Sequence, residues 1–178
     1  MGYTTDFYGK FELNKKLDDK LHQFLTKFSA SRRVMRTLPT EYGIDGEFFV
    51  DGYRGFGTID ANKDSIVDYN TPPYTQPGLW CQWTPSDDGM SIEWDGGEKF
   101  YNYREWLLYI IQNFLHPNGY ILNGVIAYKG ESSGDYGDLV VQDNILYDAR
   151  DSGPLTLYTA KKPQLSQINF ITEIKLLS

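Results

Sequence analysis

LWCQWTPSDDGMSIEWDGGEKFYNY, running from Leu79 to Tyr103, is the stretch whose reading decides the fold. It carries Trp80, Trp83 and Trp94, three of the four tryptophans, and the only cysteine, Cys81. An indole buries a large area and keeps one polar N–H, so such a group builds either a core or a binding surface. Leu79–Thr84 and Met90–Asp95 read as the strands of a hairpin, with Pro85–Gly89 (PSDDG) as its turn. Side chains alternate along a strand. Leu79, Cys81 and Trp83 therefore share one side of the first strand, and Trp80 and Gln82 the other. In the second strand Ile92 and Trp94 lie opposite Ser91, Glu93 and Asp95, so each strand has one more polar side.

Outward from the hairpin the pattern changes period. Trp106, Leu107, Ile110, Ile111, Phe114 and Leu115 recur at helical spacing, and Asn102 with Glu105 has the spacing of a capping box. His116-Pro117-Asn118-Gly119 ends that helix. Near the start, Tyr3–Leu13 alternates as a strand, with Gly9 inside it. Asn14 is placed to cap a first helix, and Leu17, Leu21, Phe24, Leu25 and Phe28 form its apolar face, ending near Ser29–Arg33. Residues 37–78 show no helical period and are rich in Gly, Pro, Asp and Tyr. We expect a long excursion there, with short strands at Glu47–Gly52 and Ser65–Tyr69. Asn70–Gly78 (NTPPYTQPG) is neither helix nor central strand, because its three prolines remove backbone donors. Downstream, Tyr120–Tyr128 reads as a strand, and Leu139–Gln142 with Ile145–Tyr147 as a hairpin across Asp143-Asn144. Leu155–Ala160 suits an edge strand, and Gln167–Leu177 a terminal strand or helix. The expected class is α+β: an antiparallel sheet with two main helices on one face in a split β-α-β (ferredoxin-like) arrangement, as a single domain over 1–178 with 151–178 as an extension.

Composition narrows the function. The 178 residues carry a net charge of −7, and 16% are aromatic. That acidity disfavours nucleic acid and anionic membranes as partners. No run is long and apolar enough to span a bilayer. The start, MGYTTDF, has neither a basic region nor an apolar run, and Asp6 breaks a myristoylation motif, so we expect a cytoplasmic protein. A lone cysteine forms no internal disulfide, and Cys81 between apolar neighbours reads as a small buried hydrophobe rather than a nucleophile. One cysteine and two separated histidines, His22 and His116, supply no zinc-ligand spacing and no evident catalytic triad. No cofactor and no metal is expected.

Several groups remain as candidates for chemistry, each with an ordinary structural alternative. Arg32, Arg33 and Arg36 form the one cationic island. They are either a helix end that suits the dipole or a bidentate clamp for phosphate. Were they to face Tyr69, Asn70 and the tryptophan hairpin, a nucleotide site would converge. An aromatic ring such as Trp80 or Trp94 would then stack on a base, while Asn70, Gln82 or Glu93 read its edge. Lys99 follows Gly96-Gly97 at the start of the second helix, either as a plain turn residue or as an aid to an anion there. Glu93 and Asp95, two apart on one strand side, are either solvated charges or a carboxylate pair for hydrolysis, with or without a metal. Oxygen ligands for such a metal would come from Asp45, Asp51, Asp60, Asp64 or Asp68. The segment DANKD (Asp60–Asp64) lacks the Gly and closing Glu of a calcium loop.

MGYTTDF, the Arg32-Arg33…Arg36 island and DYNTPPYTQPGLWCQW…EWDGGEKFYNYREWL, followed by GYILNG, resemble a family of small acidic proteins from bacteriophage and prophage genomes. The likeness covers roughly residues 1 to 145 and implies a phage-related source, without catalytic residues. It suggests an accessory factor that acts against host defence in the host cytoplasm. The expected function is a non-catalytic binding protein that sequesters a nucleotide-like ligand. It would dimerise through an exposed strand or its aromatic face. An acidic inhibitor of a host protein and a carboxylate- or metal-dependent hydrolase are the alternatives.

Overall fold

A computed structural model describes residues 2–50, 63–150 and 153–155. Most of the Leu155–Ala160 segment, the Gln167–Leu177 segment, and Asp51 and Asp60 lie outside the described residues. In chain order the elements are β1 (Thr5–Leu13), α1 (Asp19–Ala30), β2 (Met35–Arg36), β3 (Ile66–Asp68), β4 (Trp83–Pro85), β5 (Ser91–Trp94), α2 (Tyr103–Ile110), β6 (Leu122–Gly130), β7 (Tyr136–Gln142) and β8 (Ile145–Asp148). The class is α+β. Six strands form one sheet in the order β4-β5-β1-β6-β7-β8, and β2 with β3 forms a separate ladder. Every neighbouring pair is antiparallel. Hence β1 and β4 run the same way with β5 between them, and β5 and β6 run the same way with β1 between them.

β1 is the hub. It pairs with β6 from Thr5↔Gly130 to Leu13↔Leu122, and with β5 through Phe11↔Ile92. Gly9 and Gly124 let these two long strands approach. Their φ angles are +110° and +144°, and a Cβ at either would stand 3.0 Å from a carbonyl of the opposite strand. Alternation sends Phe7, Phe11 and Leu13, with Leu122, Ile126, Leu139, Val141 and Leu146, to the buried face. The helices cover that face. Phe7 meets the rings of Trp83 and Tyr103 edge-on at 5.2 and 4.9 Å, and Phe28 of α1 meets Trp106 of α2 at 5.8 Å. Trp83 and Trp106 are fully enclosed. Their large apolar area makes them core rather than binding surface. Cys81 is enclosed as well, and burial pushes its thiol well above the ordinary range.

The boundaries differ from expectation where a side chain has a better partner. Asp18, not Asn14, caps α1: its Oδ1 accepts the Leu21 N–H at 2.8 Å. Asn14 instead accepts the Ile121 N–H at 2.9 Å, tying the end of β1 to the start of β6. Asn102 holds the N-cap position of α2, its carbonyl accepting the Trp106 N–H at 2.9 Å, but its side chain makes no cap bond. It takes left-handed angles, and its Nδ2 donates to the Pro77 carbonyl at 2.7 Å. α2 widens into a π turn over Ile111–Leu115 and a 3-10 turn over His116–Asn118, and Gly119 at φ +80° ends it. Glu47–Val50 is no strand. Phe48, Phe49 and Val50 are buried in succession, which a strand with alternating sides does not do. Ile66–Asp68 is a strand, and its partner Met35–Arg36 follows directly on the arginine-rich end of α1.

Candidate functional site

The three arginines that follow α1 reach different environments. Arg32 stays at the surface. Its guanidinium lies 4.5 Å from the centre of the Tyr69 ring, Nε donates to the Tyr69 carbonyl at 3.0 Å, and Nη2 donates to Asn70 Oδ1 at 3.3 Å. The turn that presents Asn70 is built by Asp68. Its carboxylate accepts from the Asn70 N–H at 2.9 Å and the Thr71 hydroxyl at 2.7 Å. Those bonds, the Asn70 amide first, hold the Asp68 carboxyl below its usual range. Tyr69 is 60% exposed, so its outer face is open to solvent.

Arg33 and Arg36 turn inward, which corrects the picture of a three-arginine clamp. Arg33 is 2% exposed and lies 4.2 Å from the Phe28 ring centre. Its Nη2 donates to the Glu47 carbonyl at 2.8 Å and its Nε to Gln76 Oε1 at 3.3 Å. Burial pulls its pKa down to about 10. Arg36, also buried, stacks 3.9 Å from the Phe49 ring centre and donates to the Ser65 hydroxyl at 3.0 Å. Around Arg33 a polar knot joins distant parts of the chain. Gln76 Nε2 donates to the Glu47 carbonyl at 2.6 Å, and the Tyr109 hydroxyl donates to Glu47 Oε1 at 2.7 Å. Burial raises the Glu47 carboxyl, and burial followed by the Glu47 charge raises Tyr109.

The tryptophan segment lies beside this end of α1, because the Arg33 N–H donates to the Leu79 carbonyl at 2.8 Å. Trp80 is 42% exposed, the outward-facing member of the group. Gln82 and Trp94 meet each other: the indole N–H donates to Gln82 Oε1 at 3.1 Å, while Gln82 Nε2 donates to the Glu98 carbonyl at 2.9 Å. Glu93 points to the side of the sheet away from the helices, opposite Thr84. Asp95 accepts the Gly97 N–H at 2.8 Å, a local turn bond. Lys99 is exposed at the entry to α2, at φ +57°. The structure thus brings together Arg32, Tyr69 and Asn70 in one place, and Gln82 with Trp94 in another. Among the described residues no three His, Cys, Asp or Glu side chains gather as a metal site needs.

A second polar group carried no signal in the sequence. Asp148 is buried. It pairs with Arg104 Nε at 2.6 Å and accepts from the Tyr128 hydroxyl at 3.0 Å. Arg150 stacks 4.9 Å from the Tyr128 ring centre and pairs with Asp135 at 3.1 Å, and Asp135 also accepts the Tyr3 hydroxyl. Tyr103 is half buried beneath Arg104, and burial pushes its hydroxyl up to about 12. These residues come from the stretch before β1, from β6, the turn before β7, the end of β8 and just beyond it, and the first turn of α2, so no spacing could reveal them. Their charges balance one another, and the group fastens the end of the sheet to α2.

Among the described residues no helix is long and apolar enough to cross a membrane. Comparison of the chain with protein families, with curated proteins and with solved structures returns no match.

Proposed function

We propose that this protein is a non-catalytic binding protein whose ligand-contacting surface is formed by Arg32, Tyr69, Asn70 and Trp80. The ligand class is a nucleotide-like anion with a planar ring. The observation that carries this reading is the half-buried Arg32 side chain with its guanidinium over the Tyr69 ring and Asn70 beside it. A guanidinium so oriented keeps donors for a phosphate, while the open face of an aromatic ring takes a base. Trp80 adds a second exposed ring on the neighbouring segment. We read the strand order β4-β5-β1-β6 as the split β-α-β, ferredoxin-like arrangement, with β7 and β8 as an added hairpin. In the phage setting that the sequence resemblance implies, the protein would hold a nucleotide signal away from host defence.

A panel of linear and cyclic nucleotides in a thermal-shift assay tests this. At a hundredfold excess over Kd a bound ligand adds about 2.7 kcal/mol, which for a chain of this size raises Tm by about 5–10 °C. Arg32→Ala and Trp80→Ala should abolish the shift while leaving the unliganded Tm near that of the wild type. Ligand recovered after denaturation should be chemically unchanged. No shift across the panel overturns the reading, and turnover of the ligand replaces it with an enzymatic one. A second reading, an acidic inhibitor of a host protein, is supported by the exposed rings of Tyr69, Tyr74 and Trp80 on an acidic chain. It predicts salt-sensitive capture of one protein and no response to nucleotides.

A further inference from the structure

The surface formed by Arg32, Tyr69, Asn70 and Trp80 has a definite hydrogen-bond polarity, and Arg32 sets it. An arginine side chain carries donors and no acceptor. The atom that meets Arg32 Nη2 at 3.3 Å is therefore the Asn70 Oδ1, which fixes the amide and leaves Nδ2 for a ligand. The Tyr69 carbonyl is consumed as well, by Arg32 Nε at 3.0 Å. Two acceptors of this surface are thus spent on Arg32. What remains is donors: Asn70 Nδ2, the other N–H groups of Arg32 and the indole N–H of the exposed Trp80. Among the described residues nothing accepts from Asn70 Nδ2 or from the Trp80 indole. Asp68, the carboxylate of the same turn, already holds the Asn70 N–H on one oxygen and the Thr71 hydroxyl on the other. The Tyr69 hydroxyl donates and accepts alike, so it selects neither. Asn70 is exposed, so its amide is open to solvent.

We propose that the Arg32–Asn70 bond makes this surface select a base with an exocyclic carbonyl over one with an exocyclic amine. The ligand is then a nucleotide of guanine, hypoxanthine or uracil rather than of adenine or cytosine. This rests on the nucleotide reading and narrows it. Tyr69 and Asn70 are consecutive, so a ring stacked on the first has its edge within reach of the second. An oxo group at that edge accepts from Asn70 Nδ2. An amino group there sets N–H against N–H, and both leave water without a partner. One such mismatch at a base edge is worth roughly tenfold in affinity. The remaining N–H groups of Arg32 go to the phosphate, which suits a guanidinium and is common to all these nucleotides. The phosphate therefore supplies affinity without choosing among them, and the choice falls to Asn70.

The test titrates the full chain with inosine and adenosine 5′-monophosphates, whose bases differ at position 6 and in the proton on N1. Uridine and cytidine 5′-monophosphates form a second pair with the same contrast. Calorimetry should show the inosine nucleotide binding about tenfold or more tighter than the adenosine nucleotide, and uridine ahead of cytidine in the same sense. Asn70→Ala should erase both preferences with the circular dichroism spectrum unchanged. In Asn70→Asp, Arg32 pairs with one carboxylate oxygen and the other presents an acceptor. That variant should bind both purine nucleotides more weakly, through its added charge, and should favour adenosine over inosine. Equal affinity for inosine and adenosine nucleotides in the wild type, or a preference for adenosine, overturns this inference and leaves the nucleotide reading standing. A preference for inosine that survives Asn70→Ala overturns it too, because another group then reads the base. No binding of any of the four overturns both.

Discussion

Arg32 and Arg33 are adjacent in the chain and opposite in role. Arg32 has its head at the surface, so Arg32→Ala should change unfolding free energy by less than about 1 kcal/mol. Arg33 is enclosed, with its Nη2 and Nε committed to Glu47 and Gln76 and its Nη1 buried without a hydrogen-bond partner. Arg33→Ala leaves Gln76 Oε1 without its partner, removes one of two donors to the Glu47 carbonyl and opens a cavity, and should cost about 3–5 kcal/mol. Urea denaturation of both variants checks the contrast. Equal losses would contradict the division between a ligand-facing and a structural arginine. Residue type alone could not separate them, because both follow a helix end and both suit a phosphate. The separation comes from the hydrogen bond between the Arg33 amide and Leu79, which turns that residue under the proline-rich segment.

At the scale of elements, the helices and most strands were legible because periodicity reports which side of an element is buried. Leu21, Phe24, Leu25 and Phe28 line the inner side of α1 as their spacing requires. The caps were not legible. Asn14 and Asn102 have capping chemistry, yet both spend it on chain segments distant in sequence, at Ile121 and Pro77. Asp18→Ala should therefore destabilise by about 1 kcal/mol through loss of the α1 cap. Asn102→Ala should leave the helix content by circular dichroism unchanged. A loss of α1 helicity in Asn14→Ala equal to that in Asp18→Ala would contradict the assignment. The tryptophan hairpin divides in the same way. Strand parity over Leu79–Thr84 put Trp83 and Trp80 on opposite sides, but β4 begins only at Trp83, so Trp80 is exposed outside the ladder while Cys81, Gln82 and Trp83 are buried in succession.

For the whole molecule, the Arg33, Glu47, Gln76 and Tyr109 knot joins α1, the segment between β2 and β3, the proline-rich segment and α2. Its pH dependence has a definite sign. Burial raises the Glu47 carboxyl above its unfolded value, so the folded state holds that proton more tightly. The resulting stability is present below the ordinary carboxylate pKa and is lost as pH rises through the raised, folded value. Glu47→Gln removes this titration. The stability of the wild type relative to Glu47→Gln should fall as pH rises above the ordinary carboxylate range in chemical denaturation, and a constant difference would exclude the effect. By itself, the sequence determined the class of the fold, the inner sides of its long elements and the burial of Cys81, because alternation and helical spacing are local records of burial. Which arginine meets Tyr69 and Asn70, where the Asn14 and Asn102 side chains bond, and how Tyr128, Arg104 and Asp148 find one another were settled in the folded chain alone. Those choices depend on hydrogen bonds between residues far apart in the chain, and no local pattern encodes such a distance.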